Sequence, residues 1–212
     1  MIGTVAEIYL RRRRIAILPP SLRFHPLTPL GRGGQDVVFR PAMIAAVHEV
    51  DRFVAIQRTF FASGEPRRAR DLLDPRLILG RPLHGAVKLA AAIDQLGLAE
   101  GIETAMSAMI LFGIPVWATL GSRRMHQIAI PLSVTRLILF PDNDRAGRIG
   151  AANATHAYAM PGRRIEAEYP PVGFKDWNDV LREGGKGEWE LWTALGPDPS
   201  GDLPCPFPCR AP

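Results

Sequence analysis

Arg136-Leu137-Ile138-Leu139-Phe140-Pro141-Asp142-Asn143-Asp144-Arg145-Ala146-Gly147 is the stretch on which the fold turns. The apolar run Leu137–Phe140 is too short for a buried helix and suits a strand covered on both faces. Pro141 stops the run, two aspartates follow, and the small-residue segment Ala146–Ala159 reads as a helix. A buried strand feeding directly into a helix is the repeating unit of a parallel sheet flanked by helices.

The same texture extends to both sides. Upstream, Leu98-Ala99-Glu100-Gly101 leads into a helical run at Glu103–Phe112, and Pro115–Leu120 reads as a strand. Downstream, Arg164–Tyr169 alternates like an edge strand, and Lys175-Asp176-Trp177-Asn178-Asp179-Val180-Leu181 opens a last helix over Asp176–Arg182. The first half differs. Residues 3–14 read as a short helix with Val5, Ile8, Tyr9 and Leu10 on one side, ending in Arg11–Arg14. A Pro-punctuated loop through Pro19, Pro26 and Pro29 to Gly34 follows, then a hairpin of Met43–Val50 and Phe53–Phe61. Ser63–Asp74 is polar and basic, an exposed loop, and Gly85–Leu89 is strand-like. The expected organisation is a small α+β subdomain at 1–92, an α/β domain at 93–195, and a Pro-rich, disordered tail at 196–212.

A chain of 212 residues with 47% hydrophobic and 22% charged content can bury a proper core. The longest apolar run, Ala105–Leu120, is interrupted by Ser107, Gly113 and Pro115, so no membrane span is expected. The N-terminus lacks the basic-then-apolar order of a signal peptide. Both cysteines, Cys205 and Cys209, lie in the tail, which fits a reducing cytoplasm. The formal charge of +5 is carried almost wholly by arginine, Lys88, Lys175 and Lys186 being the lysines. Arginine forks suit phosphate contacts, although a GC-rich genome produces the same bias. The five histidines, His25, His48, His84, His126 and His156, show no ligand spacing.

In doubly wound sheets the ligand site lies beyond the carboxyl ends of the strands. Three acidic clusters fall there: Glu100, the pair Asp142 and Asp144, and Asp176 with Asp179. In extended chain, Asp142 and Asp144 project to one side roughly 6–7 Å apart, close enough to share one divalent cation or hold two neighbouring ones. Oxygen-only donors suit Mg²⁺ or Mn²⁺. Each cluster also has a plain structural reading. Glu-Gly after a strand is a common turn, and an aspartate before a helix is a common N-cap. All three in order, each at a strand-to-helix junction, are much harder to obtain by accident.

The ordered set Leu98-Ala-Glu-Gly-Ile-Glu-Thr-Ala, Pro-Val-Trp-Ala, Leu-Ile-Leu-Phe-Pro-Asp-Asn-Asp-Arg-Ala-Gly and Lys-Asp-Trp-Asn-Asp-Val-Leu resembles the Toprim domain over residues 96–183. The likeness is to Toprim proteins of phages, plasmids and integrated elements related to bacterial and phage primases. The preceding part resembles the smaller domain found before Toprim in those proteins.

The resemblance implies a metal-dependent, DNA primase-like nucleotidyltransferase of mobile-element or phage replication. Glu100 matches the Toprim general acid/base or metal-ligating glutamate. Asp142 and Asp144 match the metal-binding Asp-x-Asp, and Asp176 a further metal-site aspartate. Glu103 and Asp179 are secondary, orienting candidates. Arg58, Lys88 and Lys175 are the nucleotide- or nucleic-acid-binding candidates, together with the basic loop Glu65–Arg70. The implied partners are a single-stranded DNA template and nucleotides. The usual zinc ribbon and the phosphate-binding loop of a fused helicase have no match in the sequence. A separate zinc-ribbon or helicase protein, or a truncated gene product, is therefore expected. A Toprim nuclease and an inactive nucleic-acid-binding accessory protein remain alternatives on the same residues. A haloacid-dehalogenase-type phosphatase also uses Asp-x-Asp, but its further Thr/Lys motifs have no counterpart here.

Overall fold

The computed structural model describes residues 1–31 and 37–184. The chain opens with α1 (Val5–Arg12), capped by the Thr4 side chain, which accepts from the Glu7 N–H at 3.4 Å, while Glu7 accepts from the Gly3 N–H at 2.6 Å. This reciprocal arrangement satisfies two N–H groups that the helix itself cannot pair. The helix buries Tyr9 and Leu10 of the expected face, adds Ala6 to it, and leaves Ile8 exposed.

A four-stranded antiparallel sheet follows in the order β1 (Leu22–Leu30), β2 (Val38–Glu49), β3 (Arg52–Phe60), β4 (Arg76–Gly80). The β2–β3 hairpin falls where the sequence places it, closing at Glu49 opposite Arg52. Two strands correct the sequence reading. The stretch containing Pro26 and Pro29 is not a loop but β1. It is tolerated because β1 is an edge strand whose pairing with β2 slips between His25 and Thr28, where Pro26 sits. β4 was not foreseen; it is largely exposed and lacks a one-sided apolar pattern. Its order comes from pairing with β3, from Ala55 opposite Gly80 to Thr59 opposite Arg76.

The second half is an α/β layer. Its sheet has the order β5 (Val87–Lys88), β7 (Val116–Ala118), β6 (Gln95–Ala99), β8 (Arg136–Phe140), β9 (Arg164–Ala167). β6, β7, β8 and β9 are parallel, whereas the short β5 runs antiparallel to β7. Sequence periodicity carries no strand direction, so that reversal was invisible to it. The helices are α2 (Ile102–Phe112), α3 (Arg145–Tyr158) and α4 (Trp177–Glu183), with a 3₁₀ turn at Ser122–Gln127 in place of a helix after β7.

Strand alternation sorts β8 between two cores. Leu137 and Leu139 pack with Trp117, Met125, Ala151 and Ala154 on the α3 side. Ile138 and Phe140 pack with α2, α4 and residues of the first half, including Tyr9, Leu22, Met43 and Phe61. The two halves thus share one apolar core. Trp177 is a packing residue, edge-on to Phe112 at 4.8 Å and to Phe140 at 6.1 Å. Among the described residues no helix is long and apolar enough to cross a membrane. The expected tail, with Trp189, Trp192, Cys205 and Cys209, lies outside the described residues, as does Lys186.

Candidate active site

Glu100 follows β6, Asp142 and Asp144 follow β8, and Asp176 precedes α4, so all four stand at the carboxyl-end rim of the α/β sheet. The cap reading and the site reading both hold at two of them. Asp144 Oδ1 accepts from the Gly147 N–H at 2.8 Å and starts α3; Asp176 Oδ1 accepts from the Asp179 N–H at 2.9 Å and starts α4. Each cap uses one carboxylate oxygen and leaves the other free of that duty.

Asp142 is different, because it caps nothing. Its Oδ1 is buried without a hydrogen-bond partner, while its backbone N–H donates to Glu100 Oε1 at 3.1 Å. A buried, unpaired carboxylate oxygen is costly and needs a compensating group. Burial first, then the charges of Glu100 and Asp176, push the Asp142 carboxyl up to about 7, against a smaller opposing effect from Lys175. Burial also raises Glu100; the Asp142 N–H offsets part of that, and Asp144 adds to it. These couplings place Glu100, Asp142, Asp144, Asp176 and Lys175 in one electrostatic neighbourhood.

Gly147 explains the glycine of Asp-Asn-Asp-Arg-Ala-Gly. A Cβ there would stand 2.1 Å from the Asp142 carbonyl oxygen and 2.9 Å from Glu100 Oε1. Only a residue without a side chain lets the first turn of α3 close against both acids.

The donor set fits a hard divalent cation: all the atoms on offer are oxygens, and one of them is an orphan. Among the described residues no three carboxylate, histidine or cysteine side chains gather tightly enough to enclose an ion unaided. Mg²⁺ commonly binds through one or two carboxylates plus substrate phosphates, which matches an open ledge of this kind.

The other candidates separate. Lys175 is exposed beside Asp176, and its charge acts on both Glu100 and Asp142. Arg58 belongs to the antiparallel sheet, donating to the Pro29 carbonyl at 2.8 Å and lying over Phe60. Lys88 donates to the Val50 carbonyl and lies 4.7 Å from the Trp117 ring centroid. Neither is among the leading charges acting on Glu100 or Asp142. Glu103 turns the other way, into the core, and accepts from the Tyr9 hydroxyl at 2.7 Å. Burial alone would raise its carboxyl, but Arg68, the Tyr9 hydroxyl and Arg13 outweigh burial and hold it below the usual range. Asp179 lies 3.8 Å from Arg182.

Tyr9 also lines a cavity of about 500 Å³ walled by Arg12, Arg13, Arg67, Arg68, Arg70 and Arg182. Six arginines from the end of α1 and its C-cap, the 66–75 loop and α4 meet there, with no acid among the lining residues. The basic loop was visible in the sequence and so was the run Arg11–Arg14. That Arg12 and Arg13 join the loop and Arg182 at one hollow depends on helix phase and domain packing. Tyr9 at the wall of this hollow donates to the buried Glu103 carboxylate.

The family model for Toprim domains matches residues 95–187. Residues 95–187 form a Toprim domain. Residues 1–89 match a domain of unknown function, DUF7146. No curated protein matches the chain. Among solved structures, the fold is similar to a DNA primase domain from Pseudomonas aeruginosa, with TM-score 0.60 and 16% identity over 92% of this chain and 71% of that one. It is similar to a DnaG primase catalytic domain bound to ssDNA, with TM-score 0.60 and 16% identity over 90% of this chain and 73% of that one. It is also similar to the primase fragment of the bacteriophage T7 primase-helicase protein, with TM-score 0.50 and 15% identity over 72% of this chain and 62% of that one. At such identities the likeness is one of fold. The Toprim domain and the layer before it together share the fold of a primase core.

Proposed function

We propose that the chain is the core of a metal-dependent primase-like nucleotidyltransferase, with Glu100, Asp142, Asp144 and Asp176 as its acidic machinery. The observation that carries this reading is the buried, partnerless Asp142 Oδ1 set beside Glu100 at the rim of a Toprim sheet. In this reading residues 1–92 are the supporting subdomain and 93–195 the catalytic domain.

Asp142 through its unpaired Oδ1, and Asp144 and Asp176 through the oxygens their caps leave over, would hold Mg²⁺ or Mn²⁺. Such an ion supplies charge neutralisation and polarisation of phosphoryl oxygens. Glu100, held by the Asp142 N–H, is the carboxylate suited to take the proton of an attacking primer 3′-hydroxyl. A carboxyl held above its ordinary range accepts that proton more readily. Lys175 meets an incoming triphosphate at the open side. The arginine hollow takes phosphates of a single-stranded template, since arginine forks bind phosphate in paired fashion. A separate zinc-ribbon or helicase partner, a mobile-element or phage setting and a cytoplasmic location belong to the same proposal.

The test is synthesis. Protein with Mg²⁺ or Mn²⁺, single-stranded DNA and NTPs is expected to make short oligonucleotides, and Asp142→Asn to reduce them to background. Synthesis that survives Asp142→Asn overturns the assignment. Labelled DNA incubated with metal but no nucleotides distinguishes a nuclease on the same residues. Salt-sensitive DNA binding with no turnover points instead to an accessory protein.

A further inference from the structure

We infer that Asn143, the middle residue of Asp142-Asn143-Asp144, is a positioning residue that locks the Lys175–Asp176 loop against the two flanking aspartates and thereby sets divalent-ion affinity. This rests on the reading of the acidic rim as a divalent-ion site.

The Asp144 N–H donates to the Asp142 carbonyl at 2.9 Å, closing a tight turn with Asn143 at its centre in place of the extended segment expected from the sequence. From that turn its backbone N–H and side-chain NH₂ both reach the loop before α4, while its side-chain oxygen takes a partner in α3. Its backbone N–H donates to the Lys175 carbonyl at 2.7 Å, and its Nδ2 donates to the Phe174 carbonyl at 3.2 Å. Its Oδ1 accepts from Arg148 Nη2 at 2.7 Å. Arg148, one turn into α3, is itself held over the Tyr169 ring at 5.2 Å from the centroid. Asn143 is thus the pin between two loops that each carry site carboxylates.

The pin is needed because sheet pairing stops short of the site. The β8–β9 register runs only to Leu139 opposite Ala167, and one further bond joins the Glu168 N–H to the Leu139 carbonyl. From there to Asp176 the chain passes Pro170, Pro171 and Gly173, with Pro171, Val172 and Gly173 exposed. Asp176 and Asp142 carry like charges that act on each other, and nothing in the sheet opposes their separation. The side chain required at 143 must donate at one end and accept at the other. An amide does both, aspartate loses the donor, and serine is too short to span the two partners.

The experiment is Mn²⁺ titration of the full chain, followed by the electron-spin signal of free Mn²⁺. It uses wild type, Asn143→Ala, Asp176→Asn and the double variant. Asparagine at 176 keeps the α4 cap, so that background retains its helix. Asn143→Ala is expected to weaken Mn²⁺ binding by about tenfold, as loss of a residue that orients metal ligands does. In the Asp176→Asn background the same change is expected to cost less than about twofold, because the group being positioned no longer carries the charge. A merely structural role would lower the metal-free melting temperature without this background dependence. Arg148→Ala, run in both backgrounds, carries the same test should Asn143→Ala fail to fold. Unchanged Mn²⁺ affinity in Asn143→Ala, or an equal loss in both backgrounds, overturns the inference and leaves the site reading intact. Wild type that binds no Mn²⁺, or binds it no better than Asp142→Asn, overturns the site reading and the inference with it.

Discussion

A methyl group added to Gly147 would stand 2.1 Å from the carbonyl oxygen of Asp142. That contact is to backbone, which cannot swing aside as a flexible side chain can. Gly147→Ala must therefore push α3 away from the Asp142 loop and from Glu100. We expect a destabilisation of about 1–3 kcal/mol, the usual cost of overpacking, together with loss of Mn²⁺ binding. Urea unfolding and metal titration of the same variant check both.

Asp144 and Asp176 each serve as cap and candidate ligand, and the two duties separate by substitution. Asparagine caps a helix about as well as aspartate, whereas alanine costs about 1 kcal/mol. Asp144→Asn is expected to keep the melting temperature of wild type while losing metal-dependent activity. Asp144→Ala is expected to lose both. Equal activity in Asp144→Asn and wild type would show that the carboxylate is only a cap.

Glu103 gives the fold an acid-sensitive joint. Its carboxyl is depressed in the folded chain, so the folded state binds a proton less readily than the unfolded one. The resulting stability is present above the ordinary carboxylate range and is lost as pH falls through the folded value. Glu103→Gln is expected to flatten the acid limb of a stability-versus-pH curve below about pH 4.5. Tyr9→Phe removes the hydroxyl that donates to this buried carboxylate, for an expected loss of about 1–3 kcal/mol at neutral pH. Thermal unfolding across the pH series measures both effects.

The arginine hollow makes a separate prediction about DNA. If it holds template phosphates, Arg12→Ala and Arg70→Ala should each weaken single-strand binding most at low salt. Each should also make the slope of log affinity against log salt shallower by up to about one unit. Fluorescence anisotropy with a labelled oligonucleotide over a salt series reads the slope directly. Unchanged slopes would remove the hollow from the template path.

Much of the second half was legible in the sequence. The run Arg136–Phe140 was read as a strand with the boundaries observed, because burial on both faces leaves a continuous apolar signature. The helices after Asp144 and Asp176 were readable from their capping aspartates, and the one after Gly101 from its helical run. The first half was less so. Pro26 and Pro29 looked like loop residues, and only the slipped edge pairing of β1 accommodates them. β4 is ordered by its partner strand rather than by a pattern of its own.

The site divides along the same line. Sequence alone determined which carboxylates stand at strand-to-helix junctions, because caps, short buried strands and residue spacing are local properties. Tertiary structure alone decided that Asp142 Oδ1 is left without a partner, that Asn143 grips the loop before Asp176, and that Glu103 turns to Tyr9. It alone brought Arg12 and Arg182 to the same hollow as Arg67, Arg68 and Arg70. Those relations join residues distant along the chain. Such contacts follow from how layers pack and how strands align, which no local pattern encodes.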